Sequence, residues 1–172
     1  YRKIDKSKMI LLPYYPDDRT SYVNDIMPFD LNKPFVFSGG SLYKIEGDIS
    51  FEKMVIYILQ KYKMMYFLFA GNGNSKVLNR LKIKFPNRFF QVKEQKNLGE
   101  IFKKAKFYLS TYPITGGLMC QFALKYNCIP LSLCKRSYEV SDVKTLLLHP
   151  ERVNFVFYDI KDLLQEIDKL MN

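Results

Sequence analysis

The sequence predicts an α/β protein built on a doubly wound, Rossmann-like parallel sheet, and three observations carry that prediction. From residue 35 onward, apolar runs of strand length alternate with stretches whose apolar residues recur at helical spacing. The run MMYFLFA at residues 64–70 is apolar without alternation, as expected of a strand covered on both faces. Three strands run directly into glycine-bearing loops, at Ser38 to Ser41, Gly71 to Asn74 and Thr115 to Gly117. Ligands of doubly wound sheets bind beyond the carboxyl ends of the strands, so the fold brings these loops to one edge.

Residues 1–34 differ in character from the rest, with Pro13, Pro16, Pro28 and Pro34 set among acidic and aromatic residues. Prolines at that density favour extended connections, so this segment reads as a linker or interdomain hinge, and residues 35–172 as the folded domain. The opening at Tyr1 and this change of character together suggest a piece of a longer protein.

The first strand, residues 35–37, leads into Gly39 and Gly40, with Lys44 close behind. Asp48 or Ser50 is then placed to cap a helix whose Phe51, Met54, Val55, Ile58, Leu59 and Tyr62 share one face. The second strand ends in Gly71-Asn72-Gly73-Asn74 and is followed by a helix with Val77, Leu78, Leu81 and Phe85, stopped by Pro86. That G-x-G lacks a third glycine at dinucleotide spacing, so it reads as a turn first and a ligand contact second. A third strand covers residues 88–92, and Asn97 with Glu100 has capping-box spacing ahead of Ile101 and Phe102.

The most informative stretch is residues 107–133, FYLSTYPITGGLMCQFALKYNCIPLSL. It reads as strand, polar turn, helix and strand, with Gly116 and Gly117 at the junction where the helix begins. Glycine there lets the backbone approach a ligand, and the first amides of the helix, unpaired and at its positive end, favour an anion. A phosphate or diphosphate site follows from that physics. Beyond it come a short helix at residues 142–148, a last strand at 155–158 and a closing helix capped by Asp159.

Composition narrows the functional classes. The 172 residues are 48% hydrophobic, with 14 Phe and 13 Tyr, enough for one well-packed domain. No apolar run reaches the ~18 residues of a membrane span, so a cytoplasmic protein is expected. Cys120, Cys128 and Cys134 are odd in number and lack metal-site spacing, so they read as buried reduced thiols. His149 is the only histidine, which disfavours histidine triads and multi-histidine metal sites. The net charge of +10 favours phosphorylated ligands, polyanions or an anionic membrane surface. No Arg-rich tract or basic-aromatic repeat accompanies it, so nucleic acid is not the expected partner.

The order of motifs resembles the C-terminal, nucleotide-sugar-binding half of GT-B glycosyltransferases, especially the group 1 enzymes of polysaccharide and capsule assembly. The likeness spans residues 35–172: a glycine loop after the first strand, a G-x-G after the second, a helix like NLGEIFKKAK, a strand like FYLSTYP, and a donor loop and helix like TGGLMCQFALKYNCIPLSL. The resemblance implies that Gly39 and Gly40 lie near the donor diphosphate and Gly73 near the nucleotide. It places Thr115, Gly116, Gly117 and Leu118 as amide donors to the phosphates. Gln121 stands where the family often has a ribose-binding glutamate, the family's earlier acidic partner falls on Pro113, and its basic pair is represented by Lys44. No catalytic base is assigned, and the only bound small molecule implied is the nucleotide-diphosphate sugar itself, as substrate. Transfer would need no metal, in keeping with the lack of an Asp-x-Asp motif.

The implied partners are a nucleotide-sugar donor, an N-terminal GT-B domain that this stretch does not contain, and a saccharide or lipid-linked acceptor. A basic surface also suits peripheral association with the inner face of an anionic membrane. Alone, the stretch would bind donor weakly and transfer nothing. Two alternatives remain open: a sugar epimerase of GT-B type, and a non-catalytic domain, either a flavodoxin-like regulatory module or a basic nucleic-acid binder. The regulatory module would want an acidic cluster at the strand ends, which is lacking. The nucleic-acid binder would show broad, salt-sensitive binding.

Overall fold

A computed structural model describes residues 27–95, 97–135 and 155–171. Six parallel strands form one sheet in the order β3-β2-β1-β4-β5-β6. These are β1 (Phe35–Gly39), β2 (Tyr66–Ala70), β3 (Phe89–Val92), β4 (Tyr108–Leu109), β5 (Pro130–Leu133) and β6 (Val156–Phe157). The helices are α1 (Ser50–Lys61), α2 (Lys76–Lys84), α3 (Leu98–Lys104), α4 (Gly117–Lys125) and α5 (Ile160–Met171). The doubly wound prediction therefore holds among the described residues, and the order reverses between β1 and β4, the switch point where such sheets open a crevice.

Period-two alternation along the strands divides the core into two layers. Val36, Phe67, Phe69, Leu109, Leu131 and Leu133 face α1, α2 and α5. Phe35, Phe37, Leu68, Ala70 and Tyr108 face α3 and α4. The five buried residues of α1 lie at the spacing read from the sequence, and each contributes roughly 1.5–3 kcal/mol by leaving water. Met27, Phe29 and Leu31, from the predicted linker, pack on the α3 and α4 side, where Phe29 stacks on Tyr66. Residues 1–26, His149 and the helix expected at 142–148 lie outside the described residues.

Strand ends and caps required correction. The strands expected at 64–70 and 88–92 begin later, at Tyr66 and Phe89, because Met64 and Arg88 sit in the preceding turns. The cap of α1 is Ile49, although the Asp48 carboxylate still accepts the Ser50 amide at 2.7 Å. Asn97 precedes α3 without a side-chain cap, and Glu100 turns outward to Lys103 at 3.3 Å, so the capping box does not form. Asp159 accepts the Lys161 amide at 2.7 Å, as its spacing implied. Cys120, Cys128 and Cys134 are buried free thiols. No helix among the described residues is long and apolar enough to cross a membrane.

Candidate functional site

The C-terminal edge of the sheet holds the candidate site, and close backbone contacts build it. At Gly40 the chain leaves β1 with φ +139°, which residues bearing a Cβ rarely adopt, and the Gly40 amide donates to the Ala70 carbonyl at 2.9 Å. A short 3-10 turn, Leu42–Ile45, follows. A Cβ at Gly71 would stand 2.6 Å from the Gly40 carbonyl oxygen and 2.8 Å from the Phe69 ring. The β1 and β2 loops touch because residue 71 has no side chain.

The β3 loop is tied to these two. Gly71 donates its amide to the Val92 carbonyl at 3.0 Å, and Gln91 Nε2 donates to the carbonyls of Gly71 and Gly73 at 2.9 and 3.1 Å. Asn72 Oδ1 accepts the Glu94 amide at 3.0 Å. Between the loops lies a cleft of about 320 Å³. Its walls are the backbone of Gly40 and Gly71, the apolar side chains of Leu42, Leu98 and Met119, and the polar Asn72, Glu94 and Gln95.

Gln95 gives the cleft a chemical preference. Its side chain is 8% exposed, and Nε2 donates to the Lys93 carbonyl at 2.9 Å. That bond fixes which way the amide points. Oε1 is left buried without a hydrogen-bond partner. A buried acceptor in that state costs about 1–3 kcal/mol, which a ligand N–H or O–H recovers by donating to it.

The first turn of α4 supplies the second half of the site. Met119 lines the cleft, so this end of the helix faces it. Gly116 is the N-cap, with no side-chain cap. Its amide, expected to serve a phosphate, donates instead to Ser110 Oγ at 3.0 Å, so Gly116 positions the turn and is not free to serve a ligand. The amides of Gly117, Leu118 and Met119 precede the first intrahelical bond, Cys120 amide to Gly116 carbonyl, and remain the donors at the positive end of the helix.

Lys44 brings a cation between the two loops. Its carbonyl accepts the Ile114 amide at 3.3 Å, and its Cδ would lie 4.0 Å from a Cβ built on Gly40. Its charge also reaches the Cys120 thiol, although burial dominates there and pushes that thiol up to about 11.

Of the predicted site residues, only Gly40 lines the cleft; Gly39, Lys44, Gly117 and Leu118 belong to the β1 loop and the start of α4 at the same edge of the sheet but line neither this cleft nor its neighbour. Gly39 is buried, and its carbonyl accepts from the Tyr108 hydroxyl. Thr115 is buried and already has a partner. Gly73 lines a neighbouring hollow of about 540 Å³ together with Lys82, Gln91 and Lys93. Gln121 is partly buried on α4 and lines neither hollow. Sequence reasoning missed Asn72, Gln95, Leu98 and Met119. Only the β2–β3 adjacency, which places the loop after β3 beside the glycine loops, could have pointed to Gln95.

No family model matches the sequence, and no curated protein does. Solved structures do. A Thermobaculum terrenum O-GlcNAc transferase mutant aligns with TM-score 0.62 and 15% identity over 90% of this chain and 30% of its own. An S. aureus TarM mutant, in complex with fondaparinux, alpha-GlcNAc-glycerol and UDP, aligns with TM-score 0.62 and 11% identity over 88% of this chain and 31% of its own. WaaG, a glycosyltransferase involved in lipopolysaccharide biosynthesis, aligns with TM-score 0.60 and 11% identity over 81% of this chain and 38% of its own. The chain thus spans about a third of the length of these structures. At such identities the likeness establishes architecture, and the chain has the fold of one half of a GT-B glycosyltransferase.

Proposed function

We propose that the chain is the donor-binding half of a glycosyltransferase, holding a nucleotide-diphosphate sugar for transfer to a saccharide or lipid-linked acceptor in surface polysaccharide assembly. The observation that carries this reading is a single juxtaposition. A cleft with a buried, unpartnered acceptor, Gln95 Oε1, lies beside the uncapped first turn of α4. A nucleoside diphosphate matches both ends: its base or ribose donates to Gln95 Oε1, and its phosphates meet the amides of Gly117, Leu118 and Met119.

The chemistry follows from charge. As the glycosidic bond to the sugar breaks, negative charge develops on the departing nucleoside diphosphate. The first-turn amides of α4 and the Lys44 ammonium stabilise it there, in a geometry set before the reaction begins. This division of labour needs no metal from the chain. Acceptor and general base then come from the other half of the enzyme, so this half alone binds donor and transfers nothing. The net charge of +10 fits a donor-binding half that works beside an anionic membrane on the cytoplasmic side.

A thermal-shift series with UDP, GDP, CDP, dTDP and ADP, each set against its free nucleoside, tests the reading. A ligand bound only by the folded state stabilises it by RT ln(1 + [L]/Kd). The expected result is a rise with one nucleoside diphosphate that its nucleoside does not match, reduced in a folded Gly117→Val variant. No rise with any of them at millimolar concentration overturns the assignment.

A further inference from the structure

The loop after β2 is held, from the side away from the cleft, by a relay of two side chains. Lys82 Nζ, on α2, donates to Gln91 Oε1 at 2.6 Å, and that bond decides which end of the Gln91 amide turns its N–H groups to the loop. Gln91 Nε2 then donates to the Gly71 carbonyl at 2.9 Å and to the Gly73 carbonyl at 3.1 Å, which uses both of its protons. Among the described residues no other donor reaches either carbonyl. The neighbouring ties of this loop, Gly71 amide to Val92 carbonyl and Glu94 amide to Asn72 Oδ1, leave the two carbonyls untouched.

Gln91 and the cleft lie on opposite faces of the sheet. Gln91 follows Phe89 by two residues on β3 and so shares its face, toward α2, whereas Leu98 and Met119, from α3 and α4, line the cleft on the other. Gln91 lines the neighbouring hollow but not the cleft, and Asn72 lines both. The only cis peptide among the described residues is Tyr112-Pro113, so the peptide between Gly71 and Asn72 is trans, with its C=O and N–H pointing in opposite directions. A Gly71 carbonyl turned to Gln91 therefore turns the Asn72 N–H to the cleft. That amide donates to no protein group among the described residues.

We propose that the Asn72 backbone amide is a hydrogen-bond donor to the ligand in the cleft, and that Gln91, held by Lys82, is the residue that positions it. The Lys82 ammonium polarises the Gln91 amide, which strengthens the bond from Nε2 to the Gly71 carbonyl and makes the Asn72 N–H a better donor in turn. The cleft then offers a fixed donor, Asn72 N–H, as well as a buried acceptor, Gln95 Oε1. The ligand group that meets Asn72 is an acceptor oxygen or ring nitrogen. This inference rests on the donor-site reading above.

The test uses the full 172-residue chain, isotope-labelled for amide NMR, and whichever of UDP, GDP, CDP, dTDP and ADP raises its melting temperature. At saturation, that nucleotide should move the Asn72 amide proton of the wild type downfield, together with those of Gly117 and Leu118. Gln91→Glu keeps the shape and the bond from Lys82 but has no N–H for the two carbonyls. It should weaken binding about twofold to tenfold, the worth of one net hydrogen bond, and abolish the Asn72 shift while the shifts of Gly117 and Leu118 remain. Gln91→Met, of similar length and uncharged, should do the same and serves if Gln91→Glu does not fold. A Gln91 variant that binds as tightly as wild type overturns the proposal, as does one in which all three shifts shrink together, the mark of a merely structural loss. No binding of any of these nucleotides by the wild type overturns the donor site and this inference with it, whereas shifts at Gly117 and Leu118 without one at Asn72 overturn this inference alone.

Discussion

Replacing Asp168 by alanine should release α5 from α1 and change the acid limb of the stability profile. The Asp168 carboxylate accepts from Tyr57 Oη at 2.8 Å on both oxygens, from Tyr62 Oη, and from Lys61 Nζ at 2.7 Å. Lys61 is exposed, so the two tyrosine bonds at the partly buried helix interface carry most of the effect. Hydrogen bonds to a charged group are worth about 1.5–3 kcal/mol each when well shielded, and partial exposure brings the pair to about 2 kcal/mol in all. For a chain of this size that is about 4–8 °C in Tm.

The pH dependence fixes the sign. Burial alone would raise the Asp168 carboxyl, but the bonds from Lys61, Tyr62 and Tyr57 outweigh it and hold the group below its ordinary value. Its stabilisation is therefore present above the unfolded carboxylate value of about 3.9 and is lost as pH falls through the lower folded one. Tyr62 is pushed up to about 12, by burial first and by Asp168 second. That contribution is complete below the unfolded tyrosine value of about 10 and disappears as pH rises through the folded one. Thermal melts of wild type and Asp168→Ala from pH 3 to 11 should converge at the acid end and differ most near neutrality. A variant whose Tm stays within about 1 °C of wild type, or whose profile runs parallel to it at every pH, refutes the account.

Two further outcomes concern the cleft. Gly71→Ala drives a methyl group into the Gly40 carbonyl and the Phe69 ring; it should cost about 1–3 kcal/mol in denaturant melts and abolish nucleotide-dependent stabilisation. Gln95→Leu removes the buried orphan acceptor, so it should raise stability in urea by about 1 kcal/mol while weakening nucleoside binding. A Gln95→Leu protein that binds as wild type does would show that Oε1 meets no ligand.

Much of this molecule is legible along the chain because the informative signals are local. The unbroken apolar run at 64–70 marked a strand covered on both faces, and helical spacing in residues 51–62 marked the buried face of α1. The glycines at 39–40 and 71–73 marked strand ends and those at 116–117 the start of α4, since a close approach or a positive φ leaves its trace in residue type. Cap chemistry was less faithful. Asn97 and Glu100 have the spacing of a capping box, yet the Asn97 side chain makes no cap and Glu100 pairs with Lys103 on the surface.

Residues that work through distant neighbours left no such trace. Gln95 stands in a charged stretch after β3 and matters because β3 lies beside β2, which brings it to the Gly71 loop and leaves one amide oxygen without a partner. Ser110 took the Gly116 amide that the family resemblance had assigned to a ligand, and Tyr108 looked like an ordinary strand residue until its hydroxyl met the Gly39 carbonyl. Periodicity and turn chemistry are carried by residues a few positions apart, so they determine the sheet and the place of its loops in advance of folding. Which amides stay free and which acceptor is orphaned depends on strands far apart in sequence becoming neighbours, and only the packed sheet decides that.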